Sequence, residues 1–257
     1  MNIIVCVKLA PDAKDIEVKV DGSISVEKAE WVISEYDLPA IEAAVRIAEA
    51  TSGKVTAISA GPTSINNSKL KKDVLSRGPD ELYLVVDDEM KVNDTHFTTR
   101  VLAGAIQKLG PIDLVLCGEG SSDLYFQQVG LQLGETLGLP VFNAVGKIDA
   151  GADRLVIERN LEDEVEILEL PLPAVLAVTT DIHQARLPMM KDILKAGKKP
   201  VTEWKIADLG LNDLKAGVNV LSTTAPRHVE RKKVIISGSA DEAVQTLLGY
   251  LSKEGVL

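Results

Sequence analysis

The feature that most restricts the fold is a recurring pair: a short run of apolar, often β-branched residues, then a longer stretch with apolar residues at helical spacing. Asn2–Lys8 reads NIIVCVK, Lys54–Ala60 KVTAISA, Glu81–Val86 ELYLVV and Ile112–Cys117 IDLVLC. Runs this apolar suit strands buried on both faces, as in a parallel sheet covered by helices on either side. In Leu38–Ala50, residues Ile41, Ala44, Val45 and Ala48 share a stripe, with Asp37 as N-cap and Pro39 in the first turn. In Thr98–Gly110, Val101, Leu102, Ala105 and Leu109 share another, which stops at Gly110-Pro111. Strands alternating with helices predict right-handed crossovers and a Rossmann-like α/β fold with a mostly parallel sheet.

The pattern changes after Pro140. RLVIERN and EVEILEL alternate as a hairpin, with LEDE (Leu161–Glu164) near its turn, and Pro173–Thr180 reads as one more buried strand. Asp181–Trp204 is basic, carrying Arg186, Lys191, Lys195, Lys198 and Lys199. It reads as a solvated helix face or as a docking segment. Residues 1–204 therefore form the expected α/β domain, and residues 205–257 an arm with one strand-like run, KKVIISG, and a final helical pattern from Asp241. The arm is too small for a core of its own, so it packs back or reaches a partner.

Composition removes several function classes. A net charge of -10 argues against a nucleic-acid binder, which needs a basic face. No apolar run approaches the about 20 residues of a membrane span, and the start does not read as a signal peptide, so a cytoplasmic location is expected. Cys6 and Cys117 sit inside strand-like runs and are expected as buried free thiols. His96, His183 and His228 have no ligand spacing, so no metal site is expected.

The stretch most informative about chemistry runs from Asp113 to Pro140. Its strand breaks into GEGSSD (Gly118–Asp123) and resumes as a helical pattern with Phe126, Val129, Leu133 and Leu137 on one face, Ser122 or Asp123 capping it, and Gly138 and Pro140 ending it. Ligands of parallel α/β sheets bind beyond the carboxyl ends of the strands, and a helix start there suits a phosphate. A dinucleotide fingerprint needs G-x-G-x-x-G in the first βα turn. This segment ends in Asp123 and follows the fourth strand. A hydrolase elbow needs G-x-S-x-G and a histidine base; the spacing is absent. A plain turn, or a different nucleotide-binding loop, remains.

The order of motifs resembles the β subunit of electron transfer flavoproteins. VCVKLAPD (Val5–Asp12), SEYDLPAIEAA (Ser34–Ala44), Gly61-Pro62, RGPDELYLV (Arg77–Val85), GEGSSDLYFQQVG (Gly118–Gly130), LPAVLAVT (Leu172–Thr179) and Lys195–Pro200 follow one another in the family's sequence, over nearly the whole chain. The family's usual D-G-D-T is replaced by DLYF (Asp123–Phe126). That substitution, with KKPVTEW at Lys198–Trp204, is similar to the Fix-type subgroup, associated with nitrogen fixation and carnitine metabolism. A side-chain hydroxyl and a carboxylate are lost there, but backbone N–H donors survive any substitution.

The resemblance implies the adenine-nucleotide-binding sheet shared with stress-type signalling domains, and an αβ heterodimer. The α subunit holds most of a redox-active FAD, and the β subunit adds to its cleft and holds AMP or a second FAD. Electrons pass between an acyl-CoA dehydrogenase-type flavoenzyme and a quinone oxidoreductase, ferredoxin or flavodoxin; two FAD would permit bifurcation. The protein would be an electron carrier, the flavin doing the redox chemistry. Carried over by position, the β-site nucleotide is lined by Cys6, Lys8, Tyr36, Asp37, Leu38, Ala60 and Gly61, then by Gly118, Ser122, Asp123, Leu124, Tyr125, Phe126, Gln127, Gln128 and Val129. The basic segment becomes a docking loop with Met190 as apolar anchor beside Lys191 and Lys195. A stand-alone adenine-nucleotide-binding signalling domain is the competing reading.

Overall fold

The apolar runs become the strands of one nine-stranded sheet in a computed structural model that describes residues 1–90, 93–151, 154–226 and 230–257. The chain starts with β1 (Asn2–Cys6), makes a short excursion through β2 (Leu9–Pro11), β3 (Glu17–Val18), β4 (Ile24–Ser25) and β5 (Trp31–Ile33), and enters α1 (Asp37–Thr51). There follow β6 (Lys54–Gly61), α2 (Ser68–Ser76), β7 (Glu81–Val86), α3 (Thr95–Leu109), β8 (Leu114–Gly118) and α4 (Val129–Leu137). The second half holds β9 (Val141–Ala150), β10 (Arg154–Asn160), β11 (Val165–Pro171), β12 (Ala174–Val178), α5 (Met190–Ala196), β13 (Val201–Trp204) and α6 (Ala240–Lys253).

The sheet order is β11-β10-β9-β12-β8-β1-β6-β7-β13. From β9 to β13 every neighbouring pair is parallel, and β10 alone runs against the rest, as the expected hairpin requires. The Rossmann-like expectation therefore holds.

Side chains of one strand alternate between two cores, because successive residues point to opposite faces. Ile3 and Val5 of β1 pack under α1 and α2 with Ile41, Val45 and Val74. Ile4 and Cys6 face α3 and α4 with Phe97, Val101, Ile106 and Leu133. Local signals set the helix ends. Asn67 and Asp94 cap α2 and α3 by accepting from Leu70 N and Phe97 N. Gly138, at φ 67°, stops α4 in the left-handed region that glycine adopts without strain.

Two strands were not anticipated and several expectations fail, each for a definite reason. β9 and β13, unread in the sequence, carry mixed exposure rather than continuous apolar runs, yet both pair with the sheet. KKVIISG forms no strand: Lys232 to Ser237 has no pairing, and Ile235 is 92% exposed. Asp37 does not cap α1. It is the helix's first residue, and its carboxylate turns inward. Neither Ser122 nor Asp123 caps α4, which begins only at Val129; Phe126 stays outside the helix and exposed.

The arm leaves gradually. After Trp204, Ile206 is buried, Leu209, Leu211 and Leu214 pack against the α3 side of the sheet, and Gly217 N and Val218 N donate to Asp94. Beyond that, contact is sparse: Thr224 bridges to Ser23, and α6 has no buried residue. His228 lies outside the described residues.

Candidate functional site

Chain order places a switch point in the sheet. From β1 the chain moves to β6 and β7 on one side, then crosses to β8 and β12 on the other. Neighbouring loops diverge between β1 and β8, and that is where α/β sheets bind ligands. Of the expected residues, Lys8, Asp37, Gly118, Ser122 and Asp123 meet there.

Lys8 follows β1, and its ammonium reaches across to Asp123, Nζ lying 2.6 Å from Oδ2 and 2.7 Å from Oδ1. Ser121 Oγ is 3.4 Å from the same nitrogen. The Asp123 side chain is only 17% exposed although the residue as a whole is exposed, so its main chain is the part facing solvent. Burial opposes ionisation of Asp123, but the Lys8 charge and the hydrogen bonds from Lys8, Ser121 and Leu124 N together outweigh it and hold the carboxyl below its ordinary value.

Beneath this pair, Asp37 ties the two strand ends together. Its Oδ2 accepts from Lys8 N at 2.7 Å and its Oδ1 from Gly118 N at 3.2 Å. Burial pushes the Asp37 carboxyl up to about 7, against the pull of those two donors. Only glycine fits at 118, since a Cβ there would stand 2.4 Å from Tyr36 O and 2.6 Å from Asp37 Oδ1. Ser34, fully buried, receives Ser122 N on its Oγ at 3.2 Å while its own N donates to Lys8 O. Ser34 and Ser121 complete the network and were not expected as site residues; only their place beside the SEYD and GEGSSD motifs hinted at them.

The loop from Glu119 to Gln128 is not helical. Tyr125 and Gln127 take φ of 47° and 55°, and Gln128 returns to the right-handed region at φ -113°, ψ -35°. Alternating handedness turns successive N–H groups to one side, a concavity suited to an anion. Residues 123–128 thus precede the helix rather than start it, and within them Tyr125 N already donates to Ser121 O at 3.1 Å. Tyr36 and Tyr125 stack with ring centroids 4.7 Å apart, and Gln127 Nε2 donates to Tyr125 Oη. Phe126 is exposed beside them. Gln128 Oε1 accepts from Thr95 Oγ1 at 2.9 Å, fixing the loop's far end to α3.

Other expected residues surround this centre. Cys6 and Cys117 are buried free thiols on adjacent strands, and the hydrogen bond between them, with burial, pushes the Cys6 thiol up. Leu38 packs partly buried in the first turn of α1, and Leu124 and Val129 are half-buried. Ala60 and Gly61 end β6, next to β1.

A family model supplies the remaining observation: the electron transfer flavoprotein domain matches residues 22–209, well over half of the chain. The chain belongs to the electron transfer flavoprotein domain family. Proteins of this family are flavin-associated electron carriers rather than enzymes. The match ends at residue 209, close to where the arm leaves the body of the sheet. No described helix is long and apolar enough to cross a membrane.

Met190, Lys191 and Lys195 are not part of this centre. They lie on α5, which packs on α2, and Met190 is 72% exposed. Two cations of the same segment are engaged in structure instead. Arg186 pairs with Glu42 and Glu49, and Lys199 Nζ donates to the carbonyls of Leu75, Gly78 and Pro79 at the end of α2. Lys199 is therefore engaged within the fold rather than free on a solvated or docking face.

Proposed function

We propose that the chain is the β subunit of a heterodimeric electron transfer flavoprotein of the Fix-type subgroup. It binds an adenine nucleotide, AMP or a second FAD, at the switch point between β1 and β8. One observation carries this reading: Lys8, Asp37, Gly118 and Asp123, drawn from distant parts of the sequence, meet at that point under a loop with exposed main chain.

In this reading the N–H groups of the 123–128 loop that are not already engaged, as Tyr125 N is by Ser121 O and Leu124 N by the Asp123 carboxylate, bind the phosphates together with the Lys8 ammonium. Tyr36, Leu38, Ala60 and Gly61 border the remainder of the nucleotide. Asp37 orients rather than binds, since both its oxygens are occupied by backbone donors. FAD, held mainly by an α subunit, supplies the electron transfer. The chain then serves between an acyl-CoA dehydrogenase-type flavoenzyme and a quinone oxidoreductase, ferredoxin or flavodoxin. A second FAD in place of AMP would make the pair electron-bifurcating.

The arm supports pairing. The exposed face of α6 carries Val244, Leu247, Leu248 and Tyr250, and the preceding segment exposes Leu221, Val234 and Ile235. Apolar surface of this extent marks an interface, and it disfavours a stand-alone signalling domain. The exposed Met190 on α5, flanked by Lys191 and Lys195, suits docking to the dehydrogenase. Co-expression with the candidate α subunit tests the reading: a flavin absorption spectrum in the purified pair supports it, and a colourless, monomeric, nucleotide-loaded chain rejects it.

A further inference from the structure

A cavity of about 680 Å³ lies away from the switch point, between the C-terminal end of α2, the segment Arg186–Met189 and α5. That volume falls in the range of small-molecule sites. Its charge runs against the character of the protein. Arg77, Arg186, Lys191, Lys195 and Lys199 line it, against only Glu42 and Asp192, in a chain of net charge -10.

Both acids are already engaged. Glu42 receives Arg186 Nε at 2.7 Å and Arg46 Nε at 2.6 Å. Asp192 Oδ2 accepts from Met189 N and so closes the start of α5. Of the five cations, Arg186 is matched by Glu42 and Glu49 and Lys199 by three main-chain carbonyls, which leaves Arg77, Lys191 and Lys195. Arg77 gives Nη2 to Asp73 at 3.2 Å and Nη1 to Arg186 O at 3.5 Å, while its Nε is buried and has no partner. A guanidinium left partly unsatisfied prefers an oxyanion or carboxylate, which its outer nitrogens would meet, since Nε itself has no accessible surface. Lys191 and Lys195 have no ion pair among the described residues. Burial, with Lys195 close by, also holds the Lys199 ammonium below its ordinary value. The rest of the lining is apolar, from Leu75, Leu187, Pro188 and Met189.

We propose that this cavity binds a small organic anion, its carboxylate or phosphate head held by Arg77, Lys191 and Lys195 and its apolar body set against Leu75, Leu187 and Pro188. The site is separate from the nucleotide centre and does not depend on the electron-carrier reading. A ligand there would bridge α2 and α5, and so would act on the element that exposes Met190.

Titration of the full-length chain with hexanoate and, separately, with inorganic phosphate tests this, followed by amide chemical shifts. A saturable response centred on residues 75–78 and 187–195 is expected with at least one probe. Hexanoate alone would identify a carboxylate with an apolar body, and phosphate alone a phosphate head. Arg77→Gln should weaken that binding about tenfold, the effect of one charge-assisted contact. Because Arg77 also holds α2, the exposed variant Lys195→Gln gives an independent measure and should weaken binding in the same direction with an unchanged melting temperature. No shift at this cavity with either probe up to about 10 mM, well above the millimolar range expected of a single charged contact, would overturn the proposal. So would binding that survives both variants, or that disappears only in Lys8→Gln, which would put the anion at the sheet end.

Discussion

Lys8 Nζ and Asp123 Oδ2 stand 2.6 Å apart across the divide between β1 and β8, joining residues that lie 115 positions apart in the chain. The pair holds the Gly/Ser loop against the sheet while leaving the loop's main chain toward solvent. Both side chains are partly sheltered, so the contact is screened less than an open surface pair. The loop it fixes is where the account places the nucleotide's phosphates.

Gln127 gives the first prediction. Its φ of 55° is one that glycine adopts freely and proline cannot. Gln127→Gly should keep the nucleotide and stabilise the loop slightly, by up to about 1 kcal/mol where relief of strain outweighs the added chain entropy. Gln127→Pro should remove a donor, distort the loop and lose nucleotide on gel filtration. Equal retention by both variants, with unchanged folding by circular dichroism, would contradict this.

Asp37 gives a pH dependence of definite sign. Its folded pKa of about 7 lies above its ordinary value of 3.8, so the folded state holds the proton more tightly. Its contribution to stability is fully present below pH 3.8 and is lost as pH rises toward and through 7. Asp37→Asn should therefore flatten the fall in melting temperature between pH 4 and 7.5. Identical pH profiles for parent and variant would remove Asp37 from this role. Glu42 works in the opposite sense. Burial opposes its ionisation, but hydrogen bonds from Arg186 and Arg46 hold its carboxyl at about 2, so its contribution is present above pH 4.5 and is lost as pH falls toward 2.

These two carboxylates also show where the sequence is readable and where it is not. The central strands are legible because both faces are buried, which forces runs such as ELYLVV. β9 and β13 are not, because partial exposure breaks their apolar pattern. KKVIISG has strand composition but finds no neighbour to pair with. Asp37 looks like a cap because capping is a local signal, whereas its actual partners, Lys8 N and Gly118 N, are 29 and 81 residues away. The loop's Gly/Ser composition and its position after a strand were readable. Its left-handed residues Tyr125 and Gln127 were not, since neither type favours that conformation.

The arm supplies a truncation test. A chain ending at Val218 retains Ile206, the packing of Leu211 and Leu214, and both N–H bonds to Asp94. It should melt within about 2 °C of the full chain, as expected when little buried surface is lost. It should fail to co-purify with the α subunit. Full pairing by the truncated chain would place the interface elsewhere.

Met190 supplies the docking test. Met190→Ala removes an exposed side chain without a core to disturb, so stability should hold. An interface anchor of this kind is worth about 2 kcal/mol, and electron transfer to the dehydrogenase at limiting partner should fall roughly 30-fold. Lys191→Glu should instead slow association in a salt-dependent way. Parent rates in Met190→Ala would make the methionine ordinary surface.

The central claim is that a nucleotide sits at the switch point held by Lys8 and the Asp123 loop. The most direct measurement is the nucleotide released on denaturing the purified heterodimer, in the parent and in Lys8→Gln. The parent should release FAD from the shared cleft plus one further adenine nucleotide, AMP or FAD, with that second nucleotide selectively lost in Lys8→Gln. A parent complex holding only the shared FAD, or a Lys8→Gln complex with undiminished content of both, would contradict it.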